Sequence, residues 1–365
     1  MNLFPELEKR YTKEHLSARE AQRLAEFIAF GPVIFQTARI MARRGILALL
    51  RDSDEGMTTE EVAKAADISD YAAKCLLEAS LCIGIVLINK DTDRFRLSKT
   101  GWFLLNDPAT RVNIDFNHDV NYLGWFNLEE SLLNGKPEGL KTLGDWPTVY
   151  EGLSSLPKHI QDSWFGFDHF YSDNSFDQAL EIVFADKPRT LLDVGGNTGR
   201  WALRCVGYDE DVNVTILDLP QQIGMMKDNI KGKPGEERID GLGVNLLDES
   251  AEMPSDRKFE AIWMSQFLDC FSERQIVSIL KRASKVMDAG SRLYIMETLW
   301  DRQRFEPAAL CLTLTSLYFT AIANGNSKMY HSEDMERLVR EAGLEVETIH
   351  DYLGQGHSIL VCKIR

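Results

Sequence analysis

The spacing of apolar positions changes near residue 186. Before it, hydrophobic residues recur at helical intervals; after it, short apolar runs alternate with helical stretches. Within residues 20–50, Val33, Ile34, Ala38, Ile40, Met41 and Ile46 follow the break at Gly31-Pro32, and the pattern predicts two helices. Residues 57–63 read as a short helix with Thr58 or Thr59 as N-cap and acids in its first turn. A turn at Asp67-Ile68-Ser69 leads to a second helix over 71–81, and strands are predicted at 83–88 and 94–97 across the polar turn 89–93. Helix, turn, helix and hairpin in this order make a winged-helix pattern. Residues 117–185 are rich in aromatics, which fill cores more often than they line pockets. Beyond Pro188, strands are predicted at 190–194, 213–217, 241–245, 259–264, 292–296, 346–352 and 358–363. Helices are predicted at 199–206, 276–287, 308–323 and 332–342, the last with Ser332 as N-cap and Gly343 past its end. Alternating strands and helices imply an α/β fold with a mostly parallel sheet covered on both faces.

With 365 residues the chain is long enough for two domains. The net charge of -15 repels phosphate backbones and anionic membranes. The second helix of the winged-helix pattern offers Lys74 and no arginine, so it reads as a packing or dimerisation unit without nucleic-acid contacts. Cys75, Cys82, Cys205, Cys270, Cys311 and Cys362 form no C-x-x-C pair and suit free thiols in a reducing compartment. The first residues, with Glu6, Glu8, Lys9 and Arg10, lack the apolar core of a signal peptide, so a cytoplasmic location is expected. The apolar stretch 308–323 is shorter than the roughly 20 residues of a spanning helix and reads as a buried helix, with no membrane partner expected.

Candidate chemistry centres on Thr190-Leu-Leu-Asp-Val-Gly-Gly-Asn-Thr-Gly-Arg200. An apolar strand runs into a glycine turn that opens a helix, which is how an α/β sheet holds a nucleotide-type cofactor beyond the carboxyl ends of its strands. Asp218 closes the next apolar run, where a carboxylate can accept hydrogen bonds from both hydroxyls of a ribose. The dinucleotide fingerprint needs glycines where Asn197 and Arg200 stand, and no P-loop follows the strand. No His, Asp and Glu cluster shows metal-ligand spacing, so no metal is expected.

The run Leu192-Asp-Val-Gly-Gly-Asn-Thr-Gly199, the later Asp218-Leu-Pro220 and the stretch from Phe259 to Glu273 together resemble the S-adenosylmethionine-dependent small-molecule O-methyltransferases of plants and bacteria. The resemblance covers nearly the whole chain. It implies a winged-helix dimerisation domain at 1–110, a helical linker or substrate-lid segment at 111–186 and a Rossmann-like catalytic domain at 187–365, in a homodimer. By it, Asp193, Gly195, Gly196, Gly199, Asp218, Leu219, Asn245, Leu246, Ser265 and Phe271 hold S-adenosyl-L-methionine. The chain has Val244-Asn-Leu-Leu247 where the family commonly has G-D-M-F, and Asn245 keeps a carbonyl able to accept from the adenine amino group. Phe271 matches an aromatic residue near the adenine.

The family's catalytic histidine is matched by Asp269, and one of its two supporting glutamates by Glu297; the other falls at or beside Met329. A free aspartate, with a pKa near 4, is a poor base for a phenol near 10 unless burial raises it. Asp269 is therefore either the base or orienter, a cap for the helix after Ser272, or the mark of a lost activity. His331 and His169 are alternative bases. Trp164, Phe165, Phe167, His169 and Met329 are candidate acceptor contacts. The expected reaction is O-methylation of a small phenolic or hydroxylated aromatic acceptor. Ring C-methylation of an activated phenol, or cofactor binding without transfer, remain as alternatives.

Overall fold

The computed structural model describes residues 2–365 and falls into two compact units, Glu14–Asp119 and the residues up to Lys13 with Val120–Arg365. Of the expected 111–186 segment, residues 111–119 belong to the first unit and the rest to the second.

Three helices occupy the region where the pattern predicted two: Ala18–Ala29, Gly31–Arg43 and Ile46–Arg51. The added break is Gly45, whose φ of 74° lies in the left-handed region that a side chain disfavours. Thr58 caps Thr59–Ala65 in a capping box with Glu61, which also pairs with Arg94 at 2.9 Å. The next helix, Asp70–Ile83, runs two residues past its expected end and stops at Gly84, φ 92°. That extension takes the start of the predicted strand, so the hairpin is β1 (Val86–Asn89) against β2 (Arg94–Leu97). Met41, Leu47, Val62, Leu77, Val86 and Phe95 close one core beneath these elements.

The second unit carries β3 (Thr190–Val194), β4 (Asn213–Asp218), β5 (Ile239–Gly243), β6 (Ala261–Ser265), β7 (Arg292–Glu297), β8 (Leu344–Leu353) and β9 (His357–Ile364). They form one sheet in the order β5-β4-β3-β6-β7-β9-β8, parallel except for the antiparallel pairings of β9. Successive strands buried on both faces explain the continuous apolar runs. Leu192 and Val194 join a core with Ile276, Leu280 and Leu338 on one side, while Leu191 joins Trp201, Cys205 and Met226 on the other. Trp201 and Trp263 stack at 4.3 Å within the second layer.

After β3 the chain builds outward through β4 and β5, then returns to place β6 on the other flank of β3. The reversal opens a crevice beyond the carboxyl ends of β3 and β6, the position where such sheets bind ligands.

The final helix is Ser332–Glu341, and its N-cap is His331 where Ser332 was expected: His331 Nδ1 accepts from Glu333 N at 3.1 Å, while Ser332 Oγ is committed to Asp301. Gly343 follows it at φ 83°. The apolar helix Glu306–Ala323 is, contrary to the sequence reading, long and apolar enough to cross a membrane by length and composition. Ala309, Leu312, Tyr318, Phe319 and Ile322 on it are buried in the unit, and Leu310 and Leu314 are exposed.

Candidate functional site

Four chain segments border the crevice. The first is the turn after β3. Gly195 has φ 78°, its N–H donates to Leu217 O at 2.8 Å, and a Cβ there would stand 2.4 Å from the Phe267 ring. Gly196 lies against Asp193, with a built Cβ only 2.6 Å from Oδ2. Gly199 ends the turn and caps the helix Arg200–Tyr208.

Asp218 closes β4 and ties the turn down: its Oδ2 accepts from Asn197 N at 2.8 Å and its Oδ1 from Leu219 N at 2.7 Å. Burial pushes the Asp218 carboxyl up, and these two N–H groups act against that. Each oxygen retains a lone pair for a further donor. Beneath the turn, Asp193 is buried with Oδ2 unpartnered, and desolvation followed by the charge of Asp218 pushes it up to about 8.

Beyond β5, Val244 N donates to Asp218 O. Asn245 is exposed, its Oδ1 accepting from Leu247 N at 3.0 Å. Leu246 lies in the core, and Arg282 takes its carbonyl at 2.6 Å. The sequence grouped these two neighbours; the structure separates their side chains.

The segment after β6 holds the most chemistry. Ser265 is half-buried, Gln266 adopts φ 47°, and the turn Leu268–Cys270 presents Asp269, 6 % exposed. Phe267 and Phe271 pack edge to face at 4.8 Å, on the side where Phe267 meets Gly195. Glu297, ending β7, fixes this turn by accepting from Phe267 N at 3.2 Å and Leu268 N at 2.9 Å through Oε1. Its Oε2 is buried without a partner. Desolvation, then the nearby Asp269 charge, holds Glu297 well above its ordinary range, and burial pushes Asp269 up to about 6. Two carboxyls in one dry pocket favour a shared proton. Asp269 does not cap the following helix: Ser272 does so with Gln275.

Residues that sequence reasoning passed over complete the frame. Asn324 donates to Cys270 O at 2.8 Å and Tyr330 to Phe271 O at 2.7 Å, holding the Asp269 turn from its other side. His357, buried and lowered to about 4 by desolvation, stays neutral. Ser175 Oγ donates to its Nδ1, and its Nε2 donates to Gln266 Oε1, both at 3.0 Å. A lone histidine in a strand gives no sequence signal of this role. Cys270 Sγ contacts Asp269 Oδ1 at 3.5 Å.

The alternative bases fare differently. His331 is spent on capping and on Asn2 O, 2.9 Å from its Nε2. His169 lies half-buried in the helix Lys158–Ser172, its ring 5.8 Å from that of Phe165. On the same helix Trp164 Nε1 donates to Tyr318 Oη at 2.8 Å, and Phe167 packs on Tyr171 at 4.9 Å. Met329 is buried, its sulfur accepting from Thr298 Oγ1, so no second carboxylate stands there. Among the described residues, no group of three or more His, Cys, Asp and Glu side chains has metal-binding geometry.

Residues 22–95 match the model of a dimerisation2-like domain, and residues 172–345 that of an O-methyltransferase domain. Norreticuline-7-O-methyltransferase of Papaver somniferum is 29% identical over 221 residues, 60% of this chain and 57% of that protein. The matched part is thus little more than half of that relative's length. Acetylserotonin O-methyltransferase of Homo sapiens is 21% identical over 83% of this chain and 86% of its own. The solved apo structure of the S-adenosylmethionine-dependent methyltransferase SibL superimposes with a TM-score of 0.70 at 20% identity, covering 93% of this chain and 98% of that one. The two domain matches stand in sequence order and the shared sheet agrees with them: the chain carries a dimerisation2-like domain followed by an O-methyltransferase domain.

Proposed function

We propose that the protein transfers a methyl group from S-adenosylmethionine to the hydroxyl oxygen of a small phenolic or hydroxylated aromatic acceptor. The observation that carries this reading is the meeting, across one crevice, of the Asp218-anchored glycine turn with the buried Asp269 turn. The two relatives described above, both O-methyltransferases by name, point the same way.

The residues fit the cofactor. A glycine turn that any side chain would obstruct, an unpartnered buried Asp193 oxygen and an Asp218 with lone pairs to spare suit a cationic amino-acid end and a ribose. In this reading Gly195, Gly196 and Gly199 admit the methionine part, Asp218 with Leu219 N holds the ribose, Asn245 lies at the adenine edge and Phe271 at its face, and Ser265 borders the methyl end. Leu246 acts from the core by shaping the Asn245 loop. When bound, S-adenosylmethionine supplies a methyl group on a positively charged sulfur.

The chain's own task is to orient the acceptor and take its proton. Asp269 accepts that proton, and Glu297 positions Asp269 by gripping the backbone of the same turn. Trp164, Phe165, Phe167, His169 and Met329 supply walls for an aromatic acceptor, with Trp164 held by Tyr318. Incubation with labelled S-adenosylmethionine and a panel of phenols tests the reading. Label on oxygen, located by mass and NMR, is the expected result. Label on ring carbon, or tight cofactor binding with no transfer to any acceptor, overturns it.

The helical unit is proposed as the homodimer interface. Leu24, Ile28, Phe30 and Val33 are exposed on its first helices, an apolar surface that a second copy would cover. A solution mass of twice the 41.5 kDa chain is expected, and a monomer at micromolar concentration would exclude it. The six free cysteines accord with the proposed cytoplasmic location.

A further inference from the structure

Tyr150 lies on the short helix Val149–Gly152, outside every motif of the sequence. Its ring is half-buried, while its hydroxyl oxygen is excluded from water and has only the Cys270 thiol, a weak hydrogen-bonding group, within reach as a side-chain partner. The charges and dipoles it feels are those of Cys270, Tyr318 and Asp269. The helix is fixed in place: a Cβ on Gly152 would stand 2.4 Å from the ring of Trp146, and the same helix packs against the turn Phe319–Ala323. An O–H donor is therefore held out of water on the Cys270 side of the Asp269 turn, engaged there by nothing stronger than a thiol.

We propose that Tyr150 is a catalytic residue whose hydroxyl donates a hydrogen bond to the acceptor oxygen as that oxygen loses its proton to Asp269. This rests on the reading of the protein as a phenol methyltransferase. The need for such a donor follows from acidity. A phenol near 10 and a carboxylate near 6 leave a mismatch of about four powers of ten in the proton transfer, which the base alone does not overcome. A donor in a water-free site favours the phenolate over the neutral phenol, because the anion is the stronger acceptor and no water competes. The step balances: the acceptor O–H bond breaks, its proton passes to the Asp269 carboxylate, and the electron pair stays on the oxygen facing the Tyr150 O–H. Around the Tyr150 hydroxyl stand Cys270, Tyr318 and Asp269; Glu297 and Tyr330 feel the Asp269 charge in turn, and Asp168 adds its charge beyond Tyr318.

The test is a pH titration of 4-nitrophenol, whose phenolate is coloured, bound to the full protein with S-adenosylhomocysteine. The wild type is expected to bind it with an apparent pKa below that of the free phenol. Tyr150→Phe is expected to raise the bound value by about one to two units, a tenfold to hundredfold loss of preference for the anion. An equal bound value in both proteins overturns the proposal, as does a wild type that fails to bind the phenolate or binds it no better than the phenol. The wild-type arm stands even if the variant misfolds. Transfer to a series of phenols supplies a second readout: Tyr150→Phe should lose more kcat as the phenol becomes less acidic, and a uniform loss would indicate a structural role and overturn the proposal. A lowered bound pKa without methyl transfer would refute the transferase reading and leave the donor role intact.

Discussion

Asp269→Asn lowers kcat for a phenolic acceptor by about 10²- to 10⁴-fold, the usual contribution of a positioned general base, and leaves cofactor affinity within a few-fold. The amide keeps the shape of the side chain and loses the proton acceptor. The pH profile carries the sign. Burial raises Asp269 to about 6, and only its ionised form accepts a proton, so wild-type kcat falls as pH drops through that value. The variant lacks that acid limb. Glu297→Gln removes the second carboxyl of the pocket while keeping an acceptor for Phe267 N and Leu268 N, and moves the limb to lower pH. Steady-state kinetics between pH 5 and 9 measure all three; unchanged turnover in Asp269→Asn would remove this residue from the mechanism.

Cofactor binding to the wild type is expected to release a proton below pH 8 and to tighten with rising pH, by up to about tenfold per unit. Its source is Asp193. The folded-state value, about 8, lies above the 3.8 of the unfolded chain, so the free protein keeps a proton that the unfolded chain sheds. The stability contributed by Asp193 is full below about 4 and is lost as pH rises through 8. A cationic ligand above the turn favours the carboxylate and expels that proton. Calorimetry in buffers of different ionisation enthalpy reads the release directly. Asp193→Asn abolishes it, flattens the pH dependence of binding and makes the apo thermal midpoint fall less than that of the wild type as pH rises towards 8, the remaining fall coming from Asp269 and Glu297. A proton count that is the same in both proteins would show that Asp193 does not sense the cofactor.

Both residues stood out in the sequence through the motifs around them, but their protonation did not. Asp193 precedes a glycine turn and Asp269 occupies a position where a resemblance led one to expect histidine. Nothing in either string says that Oδ2 of Asp193 has no partner, or that Glu297 lies under the Asp269 turn. The pairing of residues 269 and 297 depends on β6 and β7 being neighbours in register. Two element boundaries also differ from their expected places, one for a distant cause and one for a local cause. Ser332 and His331 both suit an N-cap, and Asp301, thirty-one positions before the serine, decides between them by taking it. The predicted strand at 83–88 lost its first residues because the preceding helix continued to the left-handed stop at Gly84.

What the sequence determined by itself was whatever rests on neighbours along the chain: the alternation of strands and helices beyond residue 186, the glycine turn that only small residues tolerate, the acid closing the second strand, and the kinship these imply. Those features depend on backbone conformation and short-range periodicity, which local residue types dictate. The tertiary structure decided the chemistry. It brought Tyr150 and Cys270 together with the buried Asp269 and Glu297, set Leu246 in the core while Asn245 stayed exposed, and spent His331 on a helix cap. Acidity and hydrogen-bond satisfaction are set by burial and by partners far along the chain, and these exist only once the sheet has formed.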